Sequence, residues 1–473
     1  MWTLDPNPLP LRPWPACLAL VALGLGGAPG VARAQPQSPP GAEAPAPTRV
    51  LTLAAVEQIA KTQQPQALVA RAQTNIAEGQ AQSARAPLLP QVTATGQYTR
   101  ETGNYVSRPG FVPQTNITVN NVPAMVTTSS ASTSLSTSFD VWNFGLNATQ
   151  LIYDFGQTSE KYQAAKATVD AQRFNETTTR IQILLNVRRT YFNARAMKEL
   201  VNVARETLDD QEKHLTQVQG MVDVGTQPPI ALAQQKAAVA NARVQLITAQ
   251  NNYETSKAQL NQAAGIPGGT DYDVGNEEVV PVDDEDQPLE TLVGKAFQGR
   301  PELAQLDKLR AAQEATLSSA KGTYGPAFSA AAGFTEAGLA LDSLVPNWSA
   351  GLLLNWPLFQ GGLTIGLVHQ AEAGLQSIDA QKSLEELQVR LDVDSAMLAV
   401  RAAKATIGSA EDAQTSAREQ LRLAEQRYAT GVGNIIELND AQVAYTSAAA
   451  QLVQARYGLA SARAQLLAAL GRT

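Results

Sequence analysis

The 473-residue chain has one cysteine, two histidines and aromatics at only 5% of its positions. A lone cysteine closes no intrachain disulfide, so a disulfide-stapled fold is excluded. His214 and His369 each fall inside a long helical segment, with no cysteine or second histidine at ligand spacing. No metal, cofactor or His-based catalytic site can be named. Phosphate-binding loops and G-x-S-x-G nucleophile turns are absent, and Gly361-Gly362 fits a strand-to-helix bend instead. Asp283-Asp284-Glu285-Asp286 lacks the alternate ligand spacing of a calcium loop and reads as solvated linker. A formal charge of −7 leaves no basic face for nucleic acid. No stretch reaches the roughly 18 consecutive apolar residues of a helical membrane span. What is abundant is Ala and Gln in long runs, poor material for compact apolar cores and good material for closely packed helices.

The N-terminus carries an address. Arg12 precedes an apolar run from Ala16 through Cys17 to Leu23, and Ala32-Arg33-Ala34 supplies an A-x-A cleavage pattern. Residues 1–34 are therefore read as a secretory signal peptide, cut before Gln35. Residues 35–49, rich in Pro and Ala, are expected to be a disordered leader. The exported chain keeps no cysteine and is either soluble or inserted by β-strands.

The remainder is one unit written twice. Leu53, Val56, Ala60 and Pro65 meet Leu289, Leu292, Ala296 and Pro301 at an offset of 236 residues. From Trp142, Gly145 and Leu146 the offset is 206, onto Trp348, Gly351 and Leu352. It holds through Gly225/Gly431, Leu260/Leu466 and Gly265/Gly471. A single 30-residue length difference, placed in the first copy between about 100 and 140, accounts for the change. The repeats are 50–265 and 289–473, joined by an acidic, Gly/Pro-bearing linker at 266–288. Each repeat reads as helix, strand pair (about 90–102 and 135–152; about 326–340 and 347–360), very long helix, glycine turn and last helix.

The long stretches, 157–222 and 363–428, contain no proline. At 1.5 Å per residue they would run about 100 Å. In the last helix Leu452, Leu459 and Leu466 recur every seven residues, as do Ala448, Ala455, Ala462 and Ala469. Such a seam with alanine on a second face allows two close neighbours, as in a ring of helices; an antiparallel coiled-coil bundle would read the same.

The strands favour the membrane. Trp348, Ala350, Leu352, Leu354 and Trp356 alternate with Asn347, Ser349, Gly351 and Asn355. Trp142, Phe144 and Leu146 keep the same phase against Asn143, Gly145 and Asn147. Two-residue alternation with aromatics near the ends marks outer-membrane strands, although a soluble sandwich alternates equally well. On the membrane reading Trp142, Phe144, Leu146, Trp348, Leu352, Leu354 and Trp356 face lipid. Four strands cannot close a barrel, so several copies must share one.

The two glycine turns differ in one respect. The sixth and ninth residues after Gly431 are Glu437 and Asp440; after Gly225 they are Ala231 and Gln234. Three residues apart on a helix, the two acids share a face. A favourable interaction with the helix dipole is the plain structural explanation.

The motifs Gln64-Pro65, Arg300-Pro301-Glu302-Leu303, Tyr153-Asp154-Phe155-Gly156, Trp356-Pro357-Leu358-Phe359-Gln360-Gly361-Gly362, Tyr428-Ala429-Thr430-Gly431 and Ala468-Ala469-Leu470-Gly471 follow one another in both halves. In order, spacing and duplication the chain resembles the TolC-type outer-membrane efflux proteins from about residue 50 to 471. The resemblance implies an α+β membrane protein. Its homotrimer would close a twelve-stranded β-barrel, four strands per protomer, continuous with a long periplasmic α-helical barrel. It implies an outer-membrane duct reaching into the periplasm, working with a periplasmic adaptor and an inner-membrane pump of RND, ABC or MFS type. It also implies that Glu437 and Asp440 line the periplasmic gate, a cation-attracting ring, and that the turns at Gly225, Gly431 and Gly433 form the adaptor-docking tip. The family's frequent basic residue two places after the glycine is Gly433 here, and residues 103–134 are an added Thr/Ser/Asn-rich segment. A structural periplasmic coiled-coil adaptor or tether is the alternative function for the same helices.

Overall fold

The computed structural model describes residues 49–102, 138–277, 281–283 and 285–472. The expected signal peptide, all but the end of the leader, and the added segment at 103–134 lie outside the described residues. Arg49, placed at the end of the leader, instead opens strand β1 (Arg49–Leu51).

The first repeat runs α1 (Leu53–Gln63), α2 (Pro65–Arg85), β2 (Gln91–Thr102), β3 (Ser138–Tyr153), α3 (Gln157–Asp223) and α4 (Pro229–Ala264). After β4 (Tyr272–Val274), the second runs α5 (Leu289–Gly299), α6 (Pro301–Gly322), β5 (Ala327–Gly338), β6 (Val345–Asn355), α7 (Leu363–Ala429) and α8 (Ile435–Ala469). The leading helix of each repeat is thus broken in two. Pro65 and Pro301 stand at the first position of a new helix, and the residue before each is held extended, which ends the helix ahead of it. Gln64 then donates its side-chain amide to Ala263 O at 2.8 Å, and Arg300 Nε donates to Ala469 O at 2.9 Å. Equivalent residues thereby satisfy carbonyls left open at the ends of α4 and α8.

The duplication extends to the cores. Val56, Ala60, Ile183, Val187, Tyr191, Leu260 and Ala263 cluster in the first repeat. Leu292, Ala296, Val389, Val393, Met397, Leu466 and Ala469 do so in the second, at matching positions. A third cluster near the glycine turns joins the repeats, bringing Val218 and Ala231 against Leu421, Tyr428, Leu438 and Tyr445. α3 and α7 are each 67 residues long. α3 packs on α2, α4, α6 and α8, so near the turns it stands between α4 and α8, with α7 beyond α8.

Strands β2-β3-β5-β6 form one antiparallel sheet in that order, with β2 and β6 at its edges. The segment read as a solvated linker is in fact partly packed. β4 pairs in parallel with β1, Tyr272 and Val274 are buried, and Tyr272 OH reaches Asn261 Oδ1 at 2.9 Å. Its acids are taken up by cations on the helices: Asp273 by Lys198 at 2.7 Å, Glu285 by Arg463 and Lys404. Charge made the segment look solvated; the partners were out of sight in sequence.

Candidate functional site

Two places carry chemistry: the sheet, and the far ends of the long helices. In the sheet, register turns alternation into faces. Ala94, Leu146, Phe334 and Trp348 pair across all four strands in one row, and Val92, Ala148, Ala332 and Ala350 in the next row on that face. Tyr98 pairs with Trp142, and their rings meet at 4.6 Å. The intervening rows, Thr93-Asn147-Gly333-Ser349 and Thr95-Gly145-Thr335-Asn347, make the other face polar. Phe144, Leu352 and Leu354 stand on the apolar face with Leu146 and Trp348. Trp356 lies just beyond β6, where its indole N–H donates to Tyr324 O at 3.1 Å.

At the helix ends, two turns have the same backbone. Gly225 and Gly431 adopt φ of 75° and 76°, the left-handed cap that glycine accepts without strain. The next two amides return to one carbonyl, those of Thr226 and Gln227 to Met221 O and those of Val432 and Gly433 to Arg427 O. Gly433 is crowded by this arrangement: a Cβ there would sit 3.0 Å from Tyr428 N and 3.1 Å from Arg427 Cβ.

The helices that follow start differently. α4 begins with Pro228-Pro229, whereas α8 is capped by Asn434, whose Oδ1 accepts from Glu437 N at 2.8 Å. Ala231, the counterpart of Glu437, is 2% exposed in the cluster shared with Tyr428. A carboxylate there would be desolvated, which accounts for the absence of an acid in that copy. Glu437 is 42% exposed, and its Oε1 lies 3.0 Å from Arg427 Nε, across the turn. Asp440 is exposed on the stripe of α8 that also carries Ile436 and Val443, and it makes no ion pair or hydrogen bond to the described residues. The two acids therefore share a helix but point to different surroundings. Sequence reasoning missed Arg427; its signal was a cation directly ahead of Tyr428-Ala429-Thr430-Gly431.

The seam between the hairpins joins a polar contact to the apolar cluster near the turns: Thr207 and Thr446 hydroxyls meet at 3.0 Å, linking α3 to α8. Within the first hairpin, Gln235 Nε2 of α4 donates to Gln211 Oε1 of α3 at 2.6 Å. A groove of about 660 Å³ runs beside them, lined by Gln234, Asn439 and the buried Gln442. His214 is buried in α3 with Nε2 3.6 Å from Glu425 of α7. Burial lowers its pKa, against the opposite pull of Glu425 and Asp210. His369 is exposed on α7.

The sequence matches the family model described as outer membrane efflux protein over residues 56–266 and 292–472. It is 25% identical over 436 residues to Outer membrane protein TolC of Escherichia coli (strain K12), covering 88% of this chain and 81% of that protein. The fold is similar to that of the Campylobacter jejuni CmeC outer membrane channel, with a TM-score of 0.73 at 19% identity over 89% of this chain and 85% of that one. It is similar also to a membrane protein from Pseudomonas aeruginosa, with a TM-score of 0.74 at 18% identity over 89% and 90% of the two chains.

Proposed function

Because the chain belongs to the outer membrane efflux protein family, we propose that it is the passive exit duct of a tripartite efflux or type I secretion system, gated at its helical tip. Membership makes it an outer-membrane efflux channel and not an enzyme. The observation that carries the rest is the sheet, which has one apolar face, one polar face and two edges unpaired among the described residues.

An open edge is not tolerated in lipid, so the edges of β2 and β6 must meet those of other copies. Two copies would give eight strands with a side-chain-filled interior; three give twelve and leave a lumen. On this reading Trp142, Phe144, Leu146, Trp348, Leu352 and Leu354 face lipid, with Trp356 at the membrane boundary, while the Thr and Asn rows line a water-filled passage. The free flanks of α4 and α7 meet neighbouring copies and continue the passage as a helical barrel in the periplasm.

The turns at Gly225, Gly431 and Gly433 form the tip of that barrel. Opening parts the α3–α4 hairpin from the α7–α8 hairpin. It costs the Thr207–Thr446 hydroxyl contact, which water replaces readily, and the apolar contacts of Val218 and Ala231 with the second repeat. A periplasmic adaptor docked at the tip, coupled to an inner-membrane RND, ABC or MFS pump, would drive that parting. The duct itself supplies no energy.

Cell fractionation and planar-bilayer recording test this reading. The protein should appear in the outer-membrane fraction and give discrete ion conductance after reconstitution. Recovery as a soluble periplasmic protein without conductance would favour the coiled-coil tether instead.

A further inference from the structure

We propose that Arg427 neutralises Glu437 within each protomer, so that of the two gate acids only Asp440 supplies cation attraction at the tip. This rests on the gate reading above and divides the roles of its two acids. From Leu423 to Val443 the charged side chains are Glu425, Arg427, Glu437 and Asp440. Glu425 turns toward His214 on α3, at 3.6 Å. Arg427 and Glu437 pair across the turn at 3.0 Å. Asp440 is left without a partner among the described residues.

The pair is exposed and so contributes little to stability. Its effect on ions is a separate matter. Opposite charges 3.0 Å apart sum to almost no net charge at the Debye distance, about 8 Å in physiological salt. Even when the contact opens, both charges stay tethered to one turn. Position agrees with charge. Arg427 and Glu437 line a groove between α7 and α8 together with Glu419, Gln420 and Leu423. Asp440 stands outside that groove, on the exposed stripe between Ile436 and Val443. In an assembly of several copies, Asp440 is the gate acid left uncompensated in each protomer, and a ring of such groups favours cations. Gly433 leaves no other cation at the turn.

Reversal potentials in a KCl gradient across planar bilayers, with assembly of each variant checked by native mass, separate the roles. Asp440→Asn should lower the potassium-to-chloride permeability ratio. Arg427→Gln should raise the ratio by releasing Glu437, and Glu437→Gln should lower it by releasing Arg427. The double variant Arg427→Gln, Glu437→Gln should return to the wild-type ratio, an outcome that two equivalent acids would not give. Loss of selectivity in the double variant, alongside loss in Asp440→Asn, would overturn the proposal and leave the two-acid gate standing. If no variant moves the ratio, Asp440→Asn included, the gate reading fails as well.

Discussion

Arg463 donates from both arms of its guanidinium to Glu285, at 2.8 and 2.9 Å, and so fixes the segment between the repeats to the last helix of the second. Burial would raise the Glu285 pKa, but Arg463, Lys404 and the Val282 amide outweigh it and hold the group at about 2. The folded value lies below the ordinary 4.5, so the contact stabilises fully above that pH and is lost as pH falls from 4.5 toward 2. Its worth at neutral pH is on the order of 2–3 kcal/mol. Thermal melts in detergent should place Glu285→Gln below the wild type at pH 7, with the gap closing through that window.

Gly265 and Gly471 occupy matching positions and should be matching weak points. Each has φ of 71°, and an added Cβ would lie 2.9 Å from Gln64 Cα or 2.5 Å from Gly299 O. Alanine at either should cost about 2–4 kcal/mol through strain and overlap. Gly79→Ala, inside α2 with open space around it, should stabilise by about 0.5–1 kcal/mol. Denaturant titration in detergent measures all three.

The sheet faces predict a second contrast. Leu352→Arg, on the apolar face, should lose roughly 2–4 kcal/mol of membrane stability if it sits near mid-bilayer. Ser349→Arg, on the polar face three residues away, should insert normally and alter conductance. Outer-membrane yield and single-channel current distinguish them.

The Thr207–Thr446 contact offers a lock. Thr207→Cys with Thr446→Cys places two thiols at a 3.0 Å side-chain contact in a chain whose single native cysteine is Cys17. Oxidation should block transport and a reductant should restore it. Transport that continues with the disulfide formed would show that the hairpins need not part at this level.

Much of this was legible because duplication supplies an internal control. The offset of 206 paired Gly225 with Gly431 and Leu260 with Leu466, and alternation from Trp348 onward assigned a face before any register was known. What stayed hidden depended on contacts across the fold. β1 and β4 are three residues each, too short for a period to show. Phe155 takes φ of 53° where the second repeat uses Gly361 at 61°. Its ring fills the space above Gly325, whose Cβ would lie 2.6 Å from Phe155 Cγ. That packing keeps a phenylalanine where the backbone favours glycine, and one copy alone does not reveal it. Arg427 was invisible for a similar reason: its partner lies ten positions ahead, across a turn that only the folded backbone closes.

A membrane duct shared between copies has a defined number of chains, which the mass of the intact assembly reads out. Native mass spectrometry of the protein extracted from outer membranes in mild detergent should show three chains. A single chain would leave the edges of β2 and β6 without partners, and a pair would close only an eight-stranded barrel with no lumen. Either result would contradict a shared duct with a lumen.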